Sequence, residues 1–242
     1  MTIKMTKSIM FLATLVIAFS AIGLVSAEVN GASVVSAGTS SRGPATSPGS
    51  SNAQAGNVTE LTITGSSLTQ AWQGYFGNVS GTIELTDGSG NVLYNWSLAS
   101  PQGEVYASNS SSVSWTNIQC FNLTANSSAL ESAFGIGAND ADGVNETFSD
   151  ANTHAAFSTG STSFTAGQCP ATYVYDSTGA GVSGNFEEVL LDDGTNTVFA
   201  SLLEDDLSGF DSKTHDFEML VLEDGHNGDT TTTTYYFYIE LN

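Results

Sequence analysis

Between Gly81 and Leu98, apolar and polar residues alternate on both sides of a short glycine-rich turn, and that pattern restricts what the chain can fold into. On the first arm Ile83 and Leu85 fall on one side and Thr82, Glu84 and Thr86 on the other, the period of a half-buried strand. Asp87-Gly88-Ser89-Gly90-Asn91 follows, where glycine and asparagine tolerate the positive φ that a hairpin connection needs. The return arm places Val92, Tyr94, Trp96 and Leu98 on one face. The same grammar recurs around Asp193-Gly194, entered through Val189 and Leu191 and left through Val198, Ala200 and Leu202, and more loosely around Asp224-Gly225. A chain written in hairpins predicts an all-β fold, a scaffold that by itself does not specify an activity.

Strands are expected over 58–64, 81–86, 92–98, 104–107, 113–123, 155–165, 171–175, 186–191, 197–203, 215–222 and 230–241. Their length and spacing point to an antiparallel β-sandwich of jelly-roll or Ig-like type. One short helix is expected after Ser128, because Ser128 and Glu131 have capping-box spacing and Ala129, Leu130, Ala133 and Phe134 recur at helical intervals before Gly135. The second hairpin also carries Leu190, Phe199 and Leu203 on its outward face, so it should be covered on both sides, inside the fold or at a subunit contact.

Lys4 and Lys7 precede an apolar run from Ile9 to Leu24 and the small residues Val25-Ser26-Ala27, which reads as a signal peptide over 1–27. No second long apolar stretch follows, so no membrane span is expected in the mature chain. Residues 28–56 are Ser, Gly, Ala and Thr with few large apolar groups, and a flexible linker is expected there, ahead of a single domain over 57–242. Removal of the signal would leave Arg42 and Lys213 against 25 acids, a net charge of −23. Nucleic acid is excluded as a partner by this balance, since phosphate binding requires clustered Lys and Arg. Cys120 and Cys169 are the only cysteines, and in an exported chain an even count reads as a disulfide.

Seven Asn-x-Ser/Thr sequons stand at Asn57, Asn78, Asn95, Asn109, Asn122, Asn126 and Asn145, and none after residue 147. Such a bias implies a glycosylated portion and a bare portion that contacts something else. Asn139-Asp140-Ala141-Asp142-Gly143-Val144-Asn145-Glu146 spaces oxygen donors two apart around a glycine, so calcium is a candidate ligand for Asp140, Asp142 and Glu146. A plain acidic turn is the competing reading. Trp72, Tyr75, Tyr236 and Tyr238 are candidate ligand-facing aromatics for carbohydrate, against the commoner use of such rings in packing. His154, His215 and His226 lack the spacing of a zinc site or a nucleophile triad. Glu187-Glu188 and Glu204-Asp205-Asp206 could furnish the carboxylate pair of a glycosidase only if two of them faced each other across a cleft.

In its N-terminal signal, Ser/Gly/Thr-rich stretch, sequon density, scarce lysine and strands such as Phe186-Glu187-Glu188-Val189-Leu190-Leu191 and Asp216-Phe217-Glu218-Met219-Leu220-Val221, the chain resembles secreted archaeal cell-surface glycoproteins. The resemblance is one of texture and transfers no catalytic or binding residue. It implies a secreted or surface-bound structural or adhesive glycoprotein without catalytic activity, whose partners are other surface proteins or itself. A carbohydrate-binding module is the alternative expectation, and a glycoside hydrolase the third.

Overall fold

The computed structural model describes residues 28–224 and 231–242; the expected signal over 1–27 lies outside them. Antiparallel strands dominate, with two short helices, so the fold is all-β as the alternation predicts. A seven-stranded sheet forms the centre. In spatial order it runs β1 (Asn30–Gly31), β15 (Tyr236–Leu241), β5 (Gly103–Ser108), β11 (Thr197–Leu202) and β10 (Glu187–Asp192). Two short strands, β6 (Gln119–Cys120) and β9 (Ala171–Tyr173), share the outer edge of β10.

Register assigns the two faces. Phe237, Ala107, Phe199 and Leu190 stand in one row across four strands, and Tyr238, Tyr106, Ala200 and Val189 stand in the next row on the opposite face. Each row lies within a separate buried cluster. The first face is covered by a two-stranded ribbon of β2 (Trp72–Gly77) and β14 (Phe217–Leu222) together with the helices, giving a second layer of two strands where a sandwich would place a full sheet. Ser201 Oγ donates to the Glu218 carbonyl at 3.0 Å, and Leu220 N–H donates to Glu188 Oε2 at 2.8 Å, so polar bonds as well as packing join the layers. The opposite face is covered by the hairpin β7 (Phe157–Thr159) and β8 (Thr162–Phe164), by Trp115 and by Val29. Leu190 and Phe199 are buried beneath the ribbon, worth roughly 1.5–3 kcal/mol each in transfer terms. The second hairpin therefore lies in the interior of the fold.

Gly103 explains how β5 approaches β15 so closely. Its φ is +123°, and a Cβ there would lie 2.0 Å from the Glu240 carbonyl oxygen, so only glycine fits.

Several expectations are corrected. Residues 28–56 are not simply a linker ahead of the fold: Val29 is buried, Asn30 and Gly31 pair with Ile239 and Tyr238, and Ala32 N–H donates to the Phe237 carbonyl. The stretch that follows, through 58–64 where a strand is expected, is exposed and has no regular secondary structure until β2. It is thus an excursion held to the large sheet at one end and to the ribbon at the other. The helix α1 (Leu123–Ala133) starts five residues before Ser128, capped by Asn122, whose Oδ1 accepts from Ala125 N–H at 3.0 Å. Glu131 does not close a capping box; it turns inward and accepts from Val144 N–H at 2.9 Å, at the start of the one-turn helix α2 (Val144–Thr147). Finally, β3 (Thr82–Thr86) and β4 (Val92–Ser97) form the expected hairpin, but every residue of both strands is exposed.

Candidate functional site

Cys120 lies in β6 and Cys169 two residues before β9, so the two strands that share the edge of β10 bring the cysteines to a Cα separation of 4.9 Å and a disulfide joins them. Both segments meet at Leu190, whose carbonyl accepts from Phe121 N–H and whose N–H donates to the Pro170 carbonyl. Beneath the bond sits His154, fully buried. Its Nε2 accepts from Cys169 N–H at 3.0 Å, which leaves Nδ1 as the donor to the Ala155 carbonyl at 2.7 Å. With both ring nitrogens engaged, His154 orders the disulfide loop and has no free position for catalysis.

The densest ionisable chemistry is a pair of carboxyl groups that sequence reasoning did not single out. Glu240 and Glu104 are direct cross-strand partners of β15 and β5 on the face away from the ribbon, and both are buried. Glu240 Oε2 accepts from Gly160 N–H at 2.8 Å. Tyr106 Oη lies 3.1 Å from Thr159 Oγ1, 3.3 Å from Glu240 Oε2 and 3.4 Å from Glu104 Oε2, a single hydroxyl proton among three acceptors. Burial, then the charge of Glu240, pushes the Glu104 carboxyl up to about 8, and burial likewise raises the Tyr106 phenol. At neutral pH Glu104 keeps its proton and can donate within the cluster. The phase of the strands carries the signal that could have found this pair: Glu240 alternates with Tyr236 and Tyr238, and Glu104 with Tyr106, so both acids occupy inward positions.

Of the acids named as glycosidase candidates, Glu187 stands near enough to Glu204 that, beyond burial, its charge raises that carboxyl. Glu187 and Glu188 point to opposite faces. Glu187 accepts from Ala155 and Gly184 N–H groups, at 2.7 Å each, whereas Glu188 is sealed between the layers with Oε1 unpartnered and its pKa raised by burial. Half-buried Glu204 is pushed up to about 7 by burial and then by Glu187. The buried Glu104 and Glu240 do face each other, but beneath the turn at Thr159 and Gly160. On the ribbon side, His215 Nε2 lies 2.9 Å from Asp211 Oδ1 and beside the ring of Phe76; backbone donation from Lys213, and also His215, lowers Asp211 to about 2.

The three candidate calcium ligands separate. Asp140 Oδ2 accepts from Gly137 N–H at 2.7 Å, Asp142 accepts from the Thr69 hydroxyl, and Glu146 lies beside Gly143 in α2. Among the described residues, no group of three His, Cys, Asp or Glu side chains is placed to hold a metal ion. The loop instead carries a packing role, since the Asp142 carbonyl accepts from Trp72 Nε1 at 2.6 Å.

The four candidate aromatics are also dispersed. Trp72 packs against Phe148 and Phe199, and Tyr75 sits edge-on to Phe237. Tyr238, on the other face, meets Trp115 edge-on and donates to the Ser110 carbonyl at 3.0 Å. Of the four, Tyr236 alone is exposed. Exposed ring pairs are elsewhere, Phe76 with Phe210 and Tyr94 with Trp96, each with centroids 5.0 Å apart and with planes at 78° and 66°, so neither pair is coplanar. A concavity of about 320 Å³ is lined by Asn109, Phe134, Glu223, Asp224 and neighbouring residues.

All seven sequon asparagines are exposed. Those of the later half behave differently: Asn152, Asn185 and Asn196 are half-buried, and their Nδ2 groups donate to the Ala171 carbonyl, Asp176 and Asp193. No helix among the described residues is long and apolar enough to cross a membrane. Set against protein-family models, curated proteins and solved structures, the chain finds no significant match in any of the three.

Proposed function

We propose that this chain is an exported glycoprotein of the cell surface or the secreted space, with a structural or adhesive role and no catalytic one. The observation that carries the reading is that all seven sequon asparagines are exposed and all of them precede residue 148. Glycan attachment needs an accessible Nδ2, so the sequence bias and the exposure agree. The disulfide supports the same compartment, because such bonds persist where thiols are not kept reduced. Asn95 sits on the polar face of its hairpin opposite Glu84, where a glycan would meet no core residue. The resemblance to archaeal surface glycoproteins belongs to this reading.

The test is glycopeptide mass spectrometry of protein secreted by its natural host, without reduction. Occupied sequons on the Asn57 to Asn145 portion and an intact Cys120–Cys169 linkage are expected. Bare asparagines in a chain retained in the cytoplasm with free thiols would overturn the proposal.

A further inference from the structure

The hairpin of β3 and β4 leaves the body of the protein after Val79, whose N–H donates to Asp216 Oδ2 at 2.7 Å, and returns at the buried Pro101. In register, Ile83 faces Trp96 and Leu85 faces Tyr94, so four apolar side chains share one side. Each is between 40% and 60% exposed, and none belongs to either buried cluster. The other side holds Thr82, Glu84, Asn95 and Ser97; beyond Leu85 the register shifts, and Val92 pairs with Thr86. Two strands with an uncovered apolar face are marginal in water; a covering surface is what stabilises them.

Charge decides what that cover can be. The chain carries a formal net charge of −21, so two copies repel over most of their surfaces, and any partner recognised through charge would be basic and would meet carboxylates. The apolar side of this hairpin bears no charged residue, and its sequon, Asn95, projects from the opposite side. It is a surface on which two copies can meet with no acid facing acid and no glycan between them. We propose that the face formed by Ile83, Leu85, Tyr94 and Trp96 packs against the same face of a second copy of this chain, about a two-fold axis, as two stacked hairpins. Four such side chains fall within the roughly 300–600 Å² of a monomer's largest apolar patch. That is below the roughly 800 Å² per partner of a standard stable interface, so the pairing is weak, concentration-dependent and strengthened by salt, which screens the mutual repulsion. The inference rests on the hairpin alone and stands whether or not the chain is glycosylated or exported.

Sedimentation equilibrium of the full-length disulfide-bonded protein, across concentration and at low and high salt, tests it. Trp96 emission is followed in parallel, as the difference from Trp96→Phe. The expected result is a monomer–dimer equilibrium that tightens with salt, with Trp96 emission shifting to the blue as dimer forms. Trp96→Glu and, independently, Leu85→Glu should weaken association at least tenfold while circular dichroism and melting temperature stay at the parent values. Thr82→Glu, on the opposite side, should leave association unchanged. A monomer at every concentration and salt overturns the proposal; if its Trp96 emission is already blue-shifted, the chain covers its own hairpin. A dimer indifferent to both face variants, or one that dissolves in salt, overturns it equally, since the contact then lies elsewhere or is electrostatic.

Discussion

In the hairpin of β3 and β4, Asp87 Oδ1 accepts from the N–H groups of Ser89 and Asn91, and in that of β10 and β11, Asp193 Oδ1 accepts from Thr195 and Asn196. Gly90 and Gly194 take nearly the same positive φ, 82° and 87°. The turns are built alike, yet the first hairpin pairs only with itself, while the second is flanked by β5 on one edge and by β6 and β9 on the other, with a layer on each face. Asp193 shows the difference at atomic scale: its Oδ2 also accepts from Ser114 N–H at 2.8 Å, a bond to a distant segment, whereas the Asp87 carboxylate accepts from Ser89 and Asn91 within its own turn. Turn chemistry therefore sets that a hairpin forms, and the apolar content of its second face sets where it goes.

The comparison breaks most visibly at Phe199. Phe199→Asp should abolish folding, and Phe199→Ala should cost about 3–5 kcal/mol in urea unfolding, because the ring is buried against Trp72, Phe148 and Tyr235. Next in size is the staple on the outer edge of the second hairpin. Replacing Cys120 and Cys169 by serine opens a loop with a sequence separation of 49 and should lower stability by on the order of 4 kcal/mol, read as a lower denaturant midpoint.

A third effect sharpens the picture of the sheet that holds the second hairpin. Glu104 keeps its proton to about pH 8 in the fold but releases it near its ordinary value of 4.5 when unfolded, so the folded state binds more protons between those values. Stability should then be greatest below pH 4.5 as far as this group is concerned, fall as pH rises through the window, and level off above 8, at up to about 1.4 kcal/mol per pH unit. Glu104→Gln should flatten that slope in melting curves taken across the window. The smallest effect is expected at Trp96: Trp96→Ala in dilute protein should change unfolding free energy by no more than about 0.5 kcal/mol. A loss comparable to Phe199→Ala would mean that the first hairpin is packed like the second, and the contrast would collapse.

Much of this was legible in the residues. Alternation assigned the correct face to Tyr94, Trp96, Val198 and Ala200 but not to Val92, which a register shift pairs with Thr86, and the outward Leu190 and Phe199 correctly implied two-sided cover. Alternation reports which side chains share a face and nothing of what lies opposite, which is why Ile83 and Leu85 read as buried and are not. Cysteine parity sufficed for the disulfide. The strand at Asn30–Gly31 is two residues long and so has no period to read, and Asn122 and Ser128 are equally good helix caps until Leu123 is seen to be buried. The calcium reading failed to gather its ligands because spacing along a loop does not say where carboxylates aim, and Asp140 and Asp142 found nearer donors. The acids at 104, 188 and 240 were hidden by a sound general rule, that carboxylates sit in water, which buried carboxyl groups with hydrogen-bond donors inside the fold escape.

The pairing of Asn30 and Gly31 with the last strand has a consequence for proteolysis. The exposed stretch from 33 to 68 leaves the sheet and enters the ribbon at β2, so a cut there by a protease severs the covalent route between everything upstream and the body of the molecule while leaving the other strands of the large sheet in one chain. After such a nick the upstream piece is held by the two residues of β1 and the buried side chain of Val29, now a separate peptide without the high effective concentration that its connection supplied. One hydrolysed peptide bond in this stretch would thus leave a folded, disulfide-closed body that keeps the upstream peptide only by β1 and Val29, with no unfolding step in between.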